Sequence, residues 1–356
     1  MHPDIKKIIE AGIAAPSGEN SQPWRFEVNN FDLTLINNEE SDLSLYNYEQ
    51  SGSYIAHGAA LENIQIAADH FGYKANITLF PNPSNRKIVA TINLVKNNEK
   101  IPSSLFPYIR KRVTNRKAYK NLPLTPEDLI ELNQCVESSS INLSFTDSQE
   151  DKLILGKVGS TNEEIMLGNE FIHNFFFNHI NWNKKEDNDK KVGFFIDTLE
   201  LAPPARVGFK LMRNWNVMKY FLKINFHKIV GKQNAAINSQ AGSFGALSMV
   251  NRNPKDFVEL GMRIERIWLT ATKLRLSFQP LTGILFFMLR VNSGDTEKFS
   301  NSEIQLIQSS YSEVKKVFKI NDDKIIPFMF RIGQSDAPSA RSARFAVEEI
   351  TTIIPV

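Results

Sequence analysis

The chain has 356 residues, 42% hydrophobic and 23% charged, with a formal net charge of +3. This excludes a disordered bulk and allows one large or two ordinary domains. A single cysteine, Cys135, excludes an internal disulfide and a cysteine-rich zinc site. Met1-His2-Pro3-Asp4 lacks the basic start of a signal peptide. The apolar run Gly283 to Leu289 is too short to span a bilayer, so the expectation is a cytoplasmic protein. In chain order, Ile5, Ile8, Ile9 and Ile13 share a face of a helix over residues 4–14, stopped by Pro16, Ser17 and Gly18. Residues 24–28 and 31–35 alternate as strands around an Asn29-Asn30 turn. A helix over 55–71 carries a small-residue face and ends at Gly72. Residues 75–80 and 87–95 read as strands around a turn at 81–85. A helix is predicted over 103–113, meeting a basic loop from Arg110 to Arg116. Thr125-Pro126-Glu127-Asp128 starts the next helix, with Thr as cap and acids at the positive end of the dipole. A strand over 141–145, helices over 148–180, an exposed polar loop over 183–191, helices over 256–274 and 299–319, and a strand over 325–332 complete an α+β chain.

Four segments carry candidate chemistry. Pro16, Ser17, Asn20 and Gln22 sit in a loop whose hydroxyl and amides can face a planar heterocycle or a polyol; the same residues also make ordinary turns. Arg112, Thr114 and Arg116 alternate, so an extended backbone points two guanidiniums and a hydroxyl one way, as in a phosphate clamp. The competing reading is a solvated basic turn. Nucleic-acid binding would need further basic clusters with interleaved aromatics, and is not expected. The third segment is the strand ending at Gly333 with Arg341 and Arg344 beyond it. The fourth is Leu276 to Gly283, which includes Pro280, Leu281 and Thr282. Taken singly, these last two read as a solvated tail and a helix–loop junction.

Together the four resemble one family. Pro16-Ser17-x-x-Asn20-x-Gln22-Pro23-Trp24-Arg25-Phe26 resembles the loop that FMN-dependent nitroreductases present to flavin. Arg112-x-Thr114-x-Arg116-x-x-Tyr119 resembles their FMN-phosphate segment, Leu276 to Gly283 the loop along the flavin ring, and the basic stretch after Gly333 their C-terminal phosphate contact. In simple members the arginine segment precedes the Pro-Ser loop; here it follows, and Gln134 to Ser140 stands where a second loop is due. The order implies a fused pseudo-dimer with one complete FMN site, similar to the Acg-like branch, which Gly58 to Asn63 and Tyr73 to Leu94 also resemble. The implied halves are 1–102, trimmed, and 103–356, enlarged by an insertion around 170–240, in a monomer.

The resemblance implies an FMN site made by Pro16, Ser17, Asn20, Gln22, Arg112, Thr114, Arg116, Pro280, Leu281, Thr282, Gly283 and one or both of Arg341 and Arg344. NADH or NADPH would be the donor and a nitroaromatic or quinone the small-molecule acceptor. No side chain need act as acid or base, so no catalytic residue is named. Six scattered histidines suggest no metal site. The insertion holds Phe171, Phe175, Phe176 and Phe177, then seven Lys and Arg from Arg206 to Lys232 with no acid between them. It is expected to be a lid over the flavin, a basic amphipathic helix on an anionic membrane surface, or a helical hairpin in the pseudo-dimer interface. A closed lid would make a redox-silent flavin-sequestering protein, the alternative to the oxidoreductase.

Overall fold

The computed structural model describes residues 1–97, 103–137 and 139–355. Local signals start the helices. Pro3 opens α1 (Pro3–Gly12), where the His2 ring accepts from the Asp4 amide. Alternating burial follows in β1 (Trp24–Asn29) and β2 (Asp32–Asn37). Their turn is Asn30-Phe31, one residue later than expected. Asn30 takes φ 52°, and the Phe31 ring leaves the strand to stack on Tyr73. Next come α2 (Ser51–His70), β3 (Tyr73–Leu79) and β4 (Ile88–Lys96). Helix α2 begins four residues early.

No α-helix forms over 103–113; the segment holds one short turn at Phe106–Tyr108. Pro107 lacks an amide proton, and Thr114 bridges to Phe278, which draws the chain out straight. The boundary expected at residue 102 lies outside the described residues, as does Ser138. A Thr125–Asp128 capping box opens α3 (Pro126–Gln134), and β5 (Asn142–Thr146) follows. The long helical stretch is two helices, α4 (Gln149–Gly168) and α5 (Glu170–Asn178). Asn169 breaks it and caps the second. After β6 (Ile180–Asn181), the expected polar loop is instead α6 (Lys184–Lys190). Asn183 caps it, and Asp187 is buried because it accepts from the Ala343 amide. Then come β7 (Phe194–Phe195), α7 (Pro203–Met212), α8 (Trp215–Lys223) and α9 (Phe226–Ser239). The chain continues as β8 (Ser243–Met249), α10 (Pro254–Lys273), β9 (Ser277–Pro280), α11 (Gly283–Asn292), α12 (Asn301–Phe318) and β10 (Ile325–Gly333). It ends in α13 (Val347–Ile350) and β11 (Thr351–Ile353).

The topology repeats. One sheet runs β11-β1-β2-β4-β3 and the other β5-β8-β10-β9. In each, a helix precedes the first strand, the first two strands pair antiparallel, a 20-residue helix follows, and the last strand inserts beside the second. The two 20-residue helices, α2 and α10, cross at glycines. A Cβ on Gly58 would lie 1.9 Å from the Val258 carbonyl oxygen, and one on Gly261 2.0 Å from that of Ile55. The cores differ. One apolar cluster joins α1, α2, α10 and the first sheet; the other packs α4, α11 and α12 on the second sheet. Strands β8 and β10 are therefore buried at every position. Pro327 accompanies a register shift in β10. After β10 the chain returns to the first sheet, where β11 adds parallel to β1.

Candidate functional site

The loop after α1 is held in an uncommon backbone. Glu19, Asn20 and Gln22 all have positive φ, between 49° and 57°. Such geometry costs about 1–3 kcal/mol per residue and persists where surroundings impose it. Here the surroundings are specific. The Ser17 hydroxyl accepts from the Gln22 amide at 3.0 Å. The Asn20 side-chain amide donates to the carbonyls of Lys191 and Ala343, both at 2.9 Å. Gln22 is fully buried, donates to the same Lys191 carbonyl at 2.7 Å and accepts from the Phe345 amide. Gln22 thus ties the loop to the end of α6 and to the C-terminal segment. Sequence reading missed both partners, because α6 looked like solvated charge.

The arginines converge on this loop. Arg112 is 5% exposed. Its Nε lies 3.2 Å from the fully buried Glu265, its Nη2 donates to the Ala14 carbonyl, and its guanidinium lies over Trp268. Arg344 donates to the carbonyls of Ile13 and Ala15. Arg341 grips the backbone carbonyls of Arg110, Lys111 and Arg112 and so positions the Arg112 segment. Arg116 donates to the Thr198 carbonyl at 3.0 Å and lies over Phe194. Burial lowers the basicity of Arg116 to a pKa of about 10. Burial, then the Arg112 charge, lowers Arg344 to about 9. Burial also pushes the Glu265 carboxyl up to about 7, against the pull of Arg112.

Pro16, Ser17, Asn20, Arg112, Thr114, Arg116, Arg341 and Arg344 line one cleft of about 700 Å³. Phe194 and Thr198 are the contribution of the insertion; α7, α8 and α9 do not reach it. Gln22, Pro280, Leu281, Thr282 and Gly283 are not among the lining residues. Pro280 pairs with Phe330, the Leu281 amide donates to Met329, and Gly283 opens α11 against Asn162; on the same β9, Phe278 bridges to Thr114. Beside Asn162, burial raises the Glu163 carboxyl to about 7, and the Arg116 charge opposes that rise. Arg331 is wholly buried and donates to Gln279, Ile237 and Lys117, so it is a structural tie. No sequence pattern flagged Glu163 or Glu265; glutamates in helices read as exposed.

The cleft thus sets an extended arginine segment against a strained amide loop on an α+β scaffold. Sequence comparison gives the chain relatives. No family model matches the chain. The chain is 20% identical over 353 residues to the uncharacterized Mycobacterium tuberculosis protein MT1398, covering 98% of this chain and 48% of that protein. It is 28% identical over 128 residues to M. tuberculosis Rv3131, covering 35% and 37%. It is 33% identical over 91 residues to Acg of the same organism, covering 25% and 27%. The last two bear the name "Putative NAD(P)H nitroreductase". The chain spans about half or less of the length of these relatives. Among solved structures, NfnB, an FMN- and NADPH-dependent nitroreductase from Sphingopyxis, is 14% identical over 69% of this chain and 97% of that one, TM-score 0.39. A Bacteroides fragilis nitroreductase with bound FMN is 10% identical over 71% and 99%, TM-score 0.36. The chain is thus a sequence relative of nitroreductase-like proteins that include Acg. Among the described residues, no helix is long and apolar enough to cross a membrane.

Proposed function

We propose that the chain binds FMN in this cleft and is an NAD(P)H-dependent oxidoreductase of the nitroreductase type. The observation that carries the reading is the charge balance. Arg112, Arg341 and Arg344 lie close enough for their charges to oppose one another. Glu265 is the carboxylate in contact with Arg112. Buried positive charge in excess of its counter-charge favours an anion, and phosphate matches guanidinium geometry. The cleft is also within the usual size of a small-molecule cofactor site. The names of Rv3131 and Acg support the same class of activity.

FMN, when bound, supplies two-electron chemistry between NADH or NADPH and a small acceptor such as a nitroaromatic or quinone. The chain's own residues bind and orient. Arg112, Arg116 and Arg344 hold the phosphate, with Thr114 as a hydroxyl partner, while Arg341 fixes the Arg112 segment. Ser17 and Asn20 face the ribityl chain or ring, and Pro16 and Gln22 keep the loop in its strained form. The Pro280–Gly283 segment does not line the cleft; it is linked to it through Phe278 of β9, which bridges to the lining residue Thr114. Phe194 and Thr198 cover one side and exclude water. The repeated topology supports an internal pseudo-dimer, and we assign its halves to residues 1–102 and 103–356. One site is then built within a monomer.

Purified protein should absorb near 450 nm as a flavoprotein does, release FMN on denaturation, and be bleached anaerobically by NADH or NADPH. A colourless protein that cannot be reconstituted with FMN would overturn the cofactor assignment. A yellow protein that neither nicotinamide bleaches would overturn the oxidoreductase and leave flavin sequestration.

A further inference from the structure

Helices α7, α8 and α9 leave an apolar face uncovered. Val207 and Leu211 are 65% and 60% exposed and stand four apart on α7. Val217 and Tyr220 on α8 and Ile224 at its C-terminal cap fall at spacings of three and four, with Tyr220 71% exposed and Ile224 64%. Those spacings put each set on one helical face. The opposite side is already used: Met212 and Met218 are buried in the second core, and Phe209, Trp215, Phe221 and Leu222 pack against it. Each helix is therefore apolar on two sides, one turned inward and one turned to solvent.

The charge carried by these helices themselves has one sign, although Asp197 and Glu164 of neighbouring elements meet Arg206 and the His227 end of α9. No carboxylate occurs from Leu201 to Lys255. Arg206 pairs with Asp197, but Lys210, Arg213, Lys219, Lys223, Lys228 and Lys232 make no ion pair within the described residues. Lys223 lies over the Tyr220 ring, so aromatic and cation are presented together. Exposed aliphatic and aromatic groups among unpaired cations suit the interface of an anionic bilayer, which takes the apolar groups below its headgroups and the cations at them. A protein partner of matching chemistry would need an acidic rim around an apolar centre, a more demanding pattern than an anionic lipid surface supplies.

We propose that the α7–α8 face docks the protein reversibly on anionic phospholipid membranes. The helices lie in the surface plane, Leu211, Tyr220 and Ile224 enter the headgroup boundary, and the lysines meet lipid phosphates. The inference is independent of the flavin assignment, since none of these residues lines the cleft.

The test is co-sedimentation of the full chain with vesicles of phosphatidylglycerol and phosphatidylcholine, against vesicles of phosphatidylcholine alone. Binding is expected to the anionic vesicles, to weaken with added salt, and to be far weaker to the neutral ones. Replacing Lys210, Lys219 and Lys223 with Gln should lower partitioning on the order of a hundredfold. The triple variant Leu211→Glu, Tyr220→Glu, Ile224→Glu should not sediment; its sites are exposed, and an unchanged circular dichroism spectrum shows that it folds. Equal binding to neutral vesicles, or none to anionic ones at low salt, overturns the proposal. So does a concentration-dependent dimer that the glutamate variant abolishes, because the face would then cover a second copy.

Discussion

Arg112 and Glu265 form a buried pair, 3.2 Å apart, at the base of the cleft. Removing one partner of such a pair strands the other's charge, at a cost of about 3–5 kcal/mol. At pH 8, above the raised value of about 7 at which the Glu265 carboxyl ionises, Glu265→Gln should therefore lower the urea midpoint of the apoprotein. FMN should restore more stability to the variant than to the parent, because its phosphate replaces the lost negative charge. An equal gain in both proteins would show that Arg112 does not meet the phosphate. Arg116→Ala should weaken FMN binding roughly tenfold to a hundredfold, the loss of one charge-assisted hydrogen bond, read by flavin fluorescence quenching. Glu163 sets a pH dependence. Burial raises its carboxyl from 4.5 to about 7, so the folded chain keeps a proton that the unfolded chain releases. That contribution is complete below 4.5 and is lost as pH rises through 7. Urea midpoints should fall between pH 5 and pH 8, and Glu163→Gln should reduce the fall, Glu265 with the same upward shift supplying another part.

The crossing of α2 and α10 is the contact on which the two sheets are mounted. Both helices approach through glycine, with carbonyl oxygens where a Cβ would stand. Backbone cannot yield as a flexible side chain can. Gly58→Ala or Gly261→Ala should force the helices apart and cost about 1–3 kcal/mol or more. Calorimetry should show a lowered Tm for each. A Tm equal to the parent's would mean that the crossing is not tight in solution. The Glu62–Arg266 pair, at 2.7 Å, spans the same two helices and fixes their rotation. Sequence reading recognised the small face on α2, but not that Gly261 on α10 answers Gly58, since pairing of distant helices leaves no local trace.

Over the whole molecule, the cleft lies where separated stretches meet: residues 6–20, 109–116 and 340–348, with Phe194 and Thr198 at one side. The C-terminal stretch reaches it because β11 pairs with β1, carrying Arg341 and Arg344 back across the molecule. A site closed within one chain should give a monomer with one FMN. Light scattering coupled to flavin quantitation tests this, and two FMN per chain, or a flavin present only in a dimer, would contradict it.

The sequence by itself determined the parts whose causes are local. Alternation gave β1 and β2 their lengths to within a few residues, the strand read over 325–332 matches β10, and Thr125 marks a helix start that a short-range hydrogen bond enforces. It also flagged the Pro16–Gln22 loop and the arginine segment, through their joint resemblance to the nitroreductase flavin site rather than through either alone. Only the tertiary structure decided the rest. Asp187 made a helix of an apparent loop by meeting the Ala343 amide, which lies 156 positions away. Arg341 proved to hold backbone, and Gln22 to hold two distant strands of chain, where both had looked like ligands. Charge and hydrogen-bonding capacity are written in a residue's type; whether they are spent on the protein or left for a ligand depends on which remote groups the fold brings within 3 Å.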